Sequence, residues 1–321
     1  MLLPSQVSVK KIQQFSGHAA GVFAIEKGTL PHTVLTGGGD GLVAEWDLKG
    51  EHAGKGLIRV SGNIFSLLLI PEMNYLIAGD LKGDVHLTDL VLKQEIINFS
   101  CDGAIVYDIK LMDNNTIGIG CENGFFYVWD LFLQKIIKKI HVAEKSIRHV
   151  LISEKRNEII FSCSDNFIYV YDKHTLSHKH VLAAHTNSVF SSCFTMDEKI
   201  LISGSRDAQL VIWDVENNYQ LMKAIPAHMF TINDIKLSPN GRLFATAGRD
   251  KHIKIWETET FNLLKVIDNE KFAGHINSVN KLFWSNWNNY LISCGDDRSV
   301  IVWDITVNDS KGEELSLHAG G

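Results

Sequence analysis

Side chains that could perform hydrolysis lie close together around the stretch "LISGSRDAQLVIWDV", residues 201–215. Ser203 and Asp207 fall inside this stretch, and His185 lies a short way upstream. A serine nucleophile, a histidine base and an aspartate that orients the histidine form the catalytic triad of many hydrolases. Trp213 follows, and the gaps between the four residues are 18, 4 and 6 positions. An active site needs this constellation once, whereas a structural unit repeats it.

The same residue types, with threonine for serine in two sets, recur at identical gaps in three further places. The four sets are His18, Thr36, Asp40 and Trp46; His185, Ser203, Asp207 and Trp213; His228, Thr246, Asp250 and Trp256; and His275, Ser293, Asp297 and Trp303. Four copies at a fixed spacing indicate a repeated structural unit, so catalysis becomes the weaker interpretation.

A period of about 42 residues runs along the chain. Measured at the tryptophan position, successive steps are 42, 41, 42, 42, 43 and 47 residues. The equivalent positions are Trp46, Thr88, Trp129, Tyr171, Trp213, Trp256 and Trp303. Short runs with alternating apolar residues, separated by turn residues, predict four strands in each of seven units and few helices. Such units pack radially, because one sheet cannot bury both of its faces alone.

Paired "GH" or "AH" and "WD" dipeptides mark the units most clearly. They stand at Gly17-His18 with Trp46-Asp47, at Ala184-His185 with Trp213-Asp214, and at Gly274-His275 with Trp303-Asp304. On these motifs, residues 7–307 resemble the WD40-repeat β-propellers. The resemblance implies an all-β, seven-bladed β-propeller of four-stranded antiparallel blades. We expect residues 1–6 and 308–321 to be tails, the second of them polar.

The two ends of the repeat predict how the ring closes. The last unit supplies only three strands, ending at "VIVWDIT", and the N-terminal "VSVKKIQQF" has the pattern of a strand. We therefore predict that the N-terminal strand completes the last blade. Closure of this kind protects a sheet protein from edge-to-edge pairing.

The resemblance implies that the four recurring residues form one hydrogen-bonded network inside a blade, the structural tetrad. The indole N–H and the hydroxyl group need partners when they are buried. Three units lack the tetrad and have instead Val60, Ala78, Lys82 and Thr88; Cys101, Ile119, Asn123 and Trp129; and Ala143, Phe161, Asp165 and Tyr171. We expect these three blades to depend on apolar packing and to have the more mobile loops.

The composition excludes several classes of function. The net charge of −6 removes the general attraction to phosphate backbones, so nucleic acid is a disfavoured partner. No window has the length of apolar sequence that a membrane span needs, and the N-terminus lacks the apolar core of a secretory signal. Five cysteines without a CxxC spacing predict buried, reduced thiols and a cytoplasmic protein.

No motif for a cofactor or a metal emerges. "TGGGDG" at 36–41 falls on a predicted tight turn and contains a tetrad aspartate, so the turn is favoured over a phosphate site. His178 and His180 would face the same side of a strand, which a metal could exploit. An exposed polar edge is the favoured interpretation, and we predict neither a metal nor a cofactor.

The resemblance also implies that binding uses the propeller face whose loops surround the tetrad histidine and aspartate. One position there follows the first apolar residue of each first strand: Phe23, Phe65, Val106, Arg148, Phe190, Asn233 and Asn280. A second position precedes the aspartate: Gly39, Leu81, Glu122, Ser164, Arg206, Arg249 and Asp296. Aromatic residues and arginine are enriched in binding hot spots. The candidates are therefore Phe23, Phe65, Arg148, Phe190, Arg206 and Arg249, the alternative being phenylalanines tucked into the blades and solvated arginines.

We interpret the protein as a non-enzymatic platform for protein or peptide partners, a monomeric propeller within a larger complex. Aromatic and guanidinium groups suit an acidic peptide with an apolar anchor. The alternative is a small-ligand-binding or hydrolytic propeller that uses the mouth of the central channel. On the opposite face, Trp287 is either a second contact site or packs on Trp284.

Overall fold

Strands form in the short runs, most of them rich in apolar residues, that lie between turn residues. The computed structural model describes residues 6–50 and 54–308, so most of both expected tails lies outside the described residues. The described part contains seven four-stranded antiparallel sheets, each one blade of a ring. Its helical segments are a 3₁₀ turn at Pro71–Met73 and α1 (Asn269–Phe272). Within these ranges no helix has the length and apolar character that a membrane crossing requires.

Each blade pairs its strands in chain order, and the first strands of neighbouring blades contact one another around the axis. Blades one to three consist of β2 (Val22–Lys27), β3 (Thr33–Gly38), β4 (Leu42–Asp47) and β5 (Lys55–Arg59); β6 (Ile64–Ile70), β7 (Tyr75–Asp80), β8 (Asp84–Asp89) and β9 (Gln94–Ser100); and β10 (Val106–Leu111), β11 (Thr116–Cys121), β12 (Phe125–Asp130) and β13 (Lys135–His141).

Blades four to six consist of β14 (Ile147–Ser153), β15 (Glu158–Cys163), β16 (Phe167–Asp172) and β17 (His178–Ala183); β18 (Val189–Phe194), β19 (Ile200–Ser205), β20 (Gln209–Asp214) and β21 (Gln220–Pro226); and β22 (Ile232–Leu237), β23 (Leu243–Gly248), β24 (Ile253–Glu257) and β25 (Leu263–Ile267). Blade seven consists of β26 (Val279–Trp284), β27 (Leu291–Gly295), β28 (Ser299–Asn308) and β1 (Gln6–Ser16).

The N-terminal strand closes the ring as predicted. β1 runs antiparallel to β28, with Lys11 opposite Trp303, and a bulge between Lys11 and Gln13 shifts the register. Phe15 of β1 is buried with Trp46 of blade one, and the two rings stack with centroids 5.2 Å apart. The predicted fold class, a seven-bladed propeller closed by its N-terminal strand, is confirmed.

The hydrophobic core lies between neighbouring blades. Trp303 is fully buried in a cluster that joins Ile301 of blade seven to Ala245 and Ile255 of blade six. The other blade pairs are joined by similar clusters. Because each blade buries its faces against two neighbours, the ring holds the loops at its two ends in fixed positions.

Candidate binding face

A chain of hydrogen bonds crosses each of the four blades that carry the tetrad. In blade five, Trp213 Nε1 donates to Ser203 Oγ (2.9 Å), and His185 Nε2 lies 2.8 Å from the same hydroxyl. His185 Nδ1 lies 3.0 Å from Asp207 Oδ2. An ionised carboxylate only accepts, so Nδ1 carries the proton and Nε2 accepts from the serine hydroxyl. Blades one, six and seven repeat the same contacts.

Each tetrad also holds the loop that leads into its blade. The backbone N–H of the residue after the histidine donates to the aspartate, as Thr186 does to Asp207 (2.9 Å) and Met229 does to Asp250 (3.0 Å). Burial alone would raise the pKa of Asp250, but the hydrogen bonds from His228 and from the Met229 N–H lower it to about 2. The carboxylate therefore stays ionised and keeps accepting both bonds at neutral pH.

The tetrad hydroxyl groups are closed off from solvent. Ser203, Ser293, Thr36 and Thr246 are each 0% exposed. Each hydroxyl oxygen already contacts a tryptophan and a histidine, which leaves no approach for a substrate. The arrangement ties a loop, a turn and the third strand of one blade together, which is a structural role.

Blades three and four use tyrosine hydroxyl groups where they lack the tetrad. Tyr127 donates to Asp102 Oδ2 (2.8 Å) in blade three, and Tyr169 donates to Asp165 Oδ2 (2.8 Å) in blade four. A phenol is long enough to reach from the third strand to the turn and still bury its ring. The expectation that these blades depend on apolar packing is therefore wrong in part, because each has its own polar link.

Blade two places a carboxylate near the tetrad position. Asp80 stands in the register position of Gly38 and Gly248, where a side chain would collide with the tetrad histidine and aspartate. Asp80 Oδ2 lies 3.6 Å from Nε2 of His86, and Glu95 Oε1 lies 2.7 Å from Nδ1 of the same ring. Apolar packing is not the whole account of this blade either.

The structure corrects one position of the predicted binding face. In every blade the residue at the second-to-third-strand turn donates its backbone N–H to the residue before the first buried apolar residue, and in blade three Glu122 donates to Ile105. Val106 is therefore that apolar residue, 0% exposed, and Tyr107 follows it. The predicted equivalence of Val106 with Phe23 is wrong by one residue, and Tyr107 takes that place.

Four aromatic rings and one guanidinium group form an arc around the channel mouth. This aromatic arc consists of Phe23, Phe65, Tyr107, Arg148 and Phe190. The Phe23 and Phe65 rings stack at 5.1 Å between centroids, and Phe65 meets Tyr107 edge-on at 5.9 Å. The Arg148 guanidinium carbon lies 4.2 Å from the Tyr107 ring centroid and 5.0 Å from that of Phe190. The arc is one continuous contact surface with a positive charge between Tyr107 and Phe190.

All seven blades contribute to the cavity at this mouth. It has a volume of about 140 Å³ and is lined by Phe23, Phe65, Tyr107, Arg148, Phe190, Asn233, Asn280 and Lys281. The amide side of the ring is held in place, since Asn280 Nδ2 donates to Val22 O (3.0 Å) and to Asp296 Oδ1 (2.7 Å). The cavity therefore has an aromatic side and an amide side.

Arg206 and Arg249 lie at the same end of the ring but outside this cavity. Both side chains are exposed. Their backbone N–H groups donate to Ser188 O and Thr231 O, just before the first strands of blades five and six. Of the six predicted candidates, the structure brings Phe23, Phe65, Arg148 and Phe190 together and leaves the two other arginines on the rim.

Three exposed apolar side chains on this face were missed by the sequence analysis. Met229, Phe230 and Ile276 are 78%, 58% and 65% exposed. Met229 and Ile276 directly follow the tetrad histidines of blades six and seven, where the other tetrad blades have Ala19 and Thr186, and Phe230 comes one residue later. The large apolar residues after the histidine, as in the motif "AHMF", were the sequence feature that could have predicted this surface.

The opposite face does not present Trp287 as a free side chain. Its indole is half-buried. The centroids of the Trp287 and His32 rings are 5.6 Å apart, and Lys49 Nζ lies 5.5 Å from the Trp287 ring centroid. These contacts of Trp287 reach across to blade one, and its role as a second contact site stays a prediction. Trp284 Nε1 donates to Asn289 O (2.8 Å).

The paired histidines of β17 pack against aromatic rings. His178 meets Tyr171 at 5.4 Å, and His180 meets Tyr219 at 5.6 Å between centroids. Among the described residues, the side chains with the spacing of a metal site are instead Asp80, Asp84 and His86 of blade two.

Comparisons with known proteins find WD40 repeats in part of this chain and the same fold in a solved structure. The family model "WD domain, G-beta repeat" (WD40) matches residues 176–214, 219–257 and 268–304. The crystal structure of the WD40 beta propeller domain of Doa1 superimposes with a TM-score of 0.80 at 17% identity, covering 92% of this chain and 97% of that one. With seven four-stranded blades, this chain has the β-propeller fold, and its C-terminal part contains three matched WD40 repeats.

Curated relatives are similar at low identity. Autophagy-related protein 16 of Arabidopsis thaliana is 22% identical over 67% of this chain and 49% of the relative. Protein tipD of Dictyostelium discoideum is 22% identical over 94% of this chain and 49% of the relative. Nuclear distribution protein PAC1 of Arthroderma benhamiae is 30% identical over 34% of this chain and 24% of the relative. The chain thus spans about half, or less, of the length of these relatives.

Proposed function

We propose that this propeller is a non-enzymatic interaction platform that binds a protein or peptide partner at the aromatic arc. The observation that carries the proposal is the continuous contact of Phe23, Phe65, Tyr107, Arg148 and Phe190 around one cavity. Aromatic and arginine side chains at the centre of a rigid surface have the composition of a binding hot spot. The quoted relatives, named for autophagy and nuclear distribution, support a role in assemblies rather than in turnover.

The size of the cavity favours a side chain as its occupant. Its volume of about 140 Å³ is below the roughly 300 Å³ at which small-molecule sites begin. One apolar anchor residue of a peptide fits this space, with the rest of the partner spread over the rim.

The charges around the rim favour acidic residues beside that anchor. Arg206 and Arg249 stand on blades five and six, and Arg148 of the arc stands on blade four. The rim position of Arg206 and Arg249 is uncharged on blades one, two and four (Gly39, Leu81, Ser164) and acidic on blades three and seven (Glu122, Asp296), so the positive stretch is confined to blades four to six. We therefore propose an acidic peptide whose apolar anchor enters the aromatic side while its carboxylates accept from the arginines.

The alternative, a ligand-binding or hydrolytic channel, has less support. Two carboxylates within the ring of first strands already bond to neighbouring blades: Asp108 Oδ2 accepts from the Val150 N–H and Asp234 Oδ2 from the Leu282 N–H. Burial would raise the pKa of Asp234, but the charges of Lys236 and Lys281 lead the opposing effects and lower it to about 2. A permanently ionised, engaged carboxylate is a poor general acid or base at neutral pH.

The proposal extends to the limits and location of the domain. We propose residues 7–307 as the propeller, with the pairing of β1 and β28 reaching one residue further at each end, to Gln6 and Asn308. We also propose that this propeller acts as a monomer within a complex. All five cysteines are buried and unpaired, which supports a reducing, cytoplasmic location.

The test begins with affinity capture and a peptide display selection on the whole chain. Phe65→Ala and Arg206→Ala should each weaken binding of the selected peptide by about 1–4 kcal/mol in calorimetry, with little change in melting temperature. Met196→Ala is the matched control, because Met196 is 62% exposed on the first-to-second-strand turn at the opposite end of blade five. Affinity lost in the control and retained in both face variants would refute the assignment.

A further inference from the structure

Blade two contains two buried polar atoms that face each other without partners. Asp80 is 0% exposed and His86 is 5% exposed. Asp80 Oδ2 and His86 Nε2 have no hydrogen-bond partner, although they lie 3.6 Å apart. Buried polar atoms are nearly always paired, so this arrangement requires an explanation.

The second nitrogen of the imidazole shows what kind of group is missing. His86 Nδ1 lies 2.7 Å from Glu95 Oε1, and a carboxylate only accepts, so Nδ1 carries a proton. In the neutral ring Nε2 then presents a lone pair to the carboxylate oxygen of Asp80. Two lone pairs that face each other in a buried space repel, unless a proton, a water molecule or a metal ion lies between them.

The distance distinguishes a metal ion from a proton. A charge-assisted hydrogen bond would bring the two atoms to about 2.7–2.9 Å. Ligand atoms about 2.0–2.2 Å from a tetrahedral metal are about 3.4 Å apart. The observed 3.6 Å between Asp80 Oδ2 and His86 Nε2 is close to the second value.

A third ligand and an outer support are present. The Asp84 carboxylate, Asp80 and His86 have ligand atoms all within 4.8 Å of one another. Asp80 is oriented by its other oxygen, which accepts from the backbone N–H of Lys82 and of Asp84, both at 2.9 Å. Gly62 lies beside Oδ2, where a Cβ would stand 2.1 Å from that oxygen.

We propose that Asp80, Asp84 and His86 bind one divalent transition-metal ion of the Zn²⁺ type inside blade two, with Glu95 orienting the histidine. Imidazole and carboxylate ligands suit such an ion, and a histidine that donates to a carboxylate through its other nitrogen is the usual support of a metal ligand. The half-buried Asp84 gives the ion a route from solvent. The ion replaces, in this blade, the order that a tetrad provides elsewhere.

The test is calorimetric titration of the chelator-treated whole chain with Zn²⁺. One equivalent should bind and raise the melting temperature. Asp84→Asn and His86→Gln should abolish that equivalent, and Glu95→Gln should weaken it by about 10–100-fold. Co²⁺ should give the intense visible spectrum of a tetrahedral site in the wild type and not in Asp84→Asn.

The matched control is the double variant His178→Ala, His180→Ala, which removes the histidine pair of β17 and should keep full binding. Loss of the equivalent in this control, or its retention in both Asp84→Asn and His86→Gln, would assign the metal elsewhere and overturn the proposal. Binding only at millimolar Zn²⁺, or nitrogen NMR that shows His86 protonated at both nitrogens in the presence of Zn²⁺, would overturn it as well.

Discussion

Blades five and two have the same four-stranded geometry but stabilise their turns differently. In blade five, Trp213, Ser203, His185 and Asp207 form a closed chain in which every polar atom of the link has a partner. In blade two, Asp80 takes the corresponding space and leaves two buried atoms facing each other. The comparison shows that the strand framework does not depend on the tetrad, because inter-blade packing supplies it. The polar groups of a blade can therefore diverge.

The largest effect should come from removing what both blades share, the closed ring. Deleting residues 1–15 leaves β28 with an unpaired edge and exposes the surface that Phe15 covers. Unpaired strand edges associate with other chains. We expect that unfolding is no longer cooperative and that soluble aggregates appear in size-exclusion chromatography. A monomeric truncation with an unchanged melting curve would contradict the closure.

The next effect concerns the tetrad of blade five. His185→Ala leaves the Ser203 hydroxyl and Asp207 without their shared partner, so the free energy of unfolding should fall by about 1–3 kcal/mol. The double change with Ser203→Ala should be less than additive, because both act on one network. The exposed His178→Ala serves as control in denaturant titrations. An unchanged stability for His185→Ala together with loss of a measured turnover would restore the catalytic interpretation.

Acid should destabilise the tetrad blades through their aspartates. Despite burial, which raises it, the pKa of both Asp250 and Asp297 is lowered to about 2 from the ordinary 3.8, mainly by hydrogen bonds from their histidines. A lowered folded-state pKa means stability that is complete above the ordinary value and disappears as the pH falls toward 2. Unfolding free energies of the wild type should therefore fall over that range. The slope should be smaller in Asp297→Asn, and an equal slope would contradict this origin.

A smaller effect is expected in a blade without a tetrad. Tyr127→Phe removes one hydroxyl, which donates to Asp102 at the blade surface, and keeps the buried ring. The cost should be about 0.5–1.5 kcal/mol, below that of His185→Ala, when both are measured in denaturant. A cost above that of His185→Ala would show that the tyrosine link, and not apolar packing, is the main support of blade three.

The repeat made the fold predictable from sequence, because four tetrads at one spacing define the period and the strand pattern fills it. The tetrad positions share one register, so blades one, five, six and seven could be aligned directly. Blade three could not, since "AIVYDI" offers two adjacent apolar residues, Ile105 and Val106, as the start of the strand. The backbone hydrogen bond from Glu122 to Ile105 decides between them, and only the folded structure shows that bond.

Contacts between distant parts of the chain were also out of reach. Trp287 packs on His32 and Lys49 because the ring brings blade seven beside blade one. Likewise, no sequence motif marks Asp80 and His86 as a buried pair. The pair exists because two of their atoms face each other across neighbouring strands. The spacing of residues in the sequence predicts where the strands lie, whereas these sites depend on the direction in which side chains point.

Hydrogen exchange of the chain with and without its captured partner tests the central claim most directly. The account predicts protection at the end of the ring that bears the aromatic arc, in the segments around Phe65, Tyr107 and Phe190, and at the loop after His228. The turns at the opposite end, including Met196, should exchange at unchanged rates. Protection confined to those opposite turns, with the segments around Phe65 and Tyr107 unaffected, would contradict it.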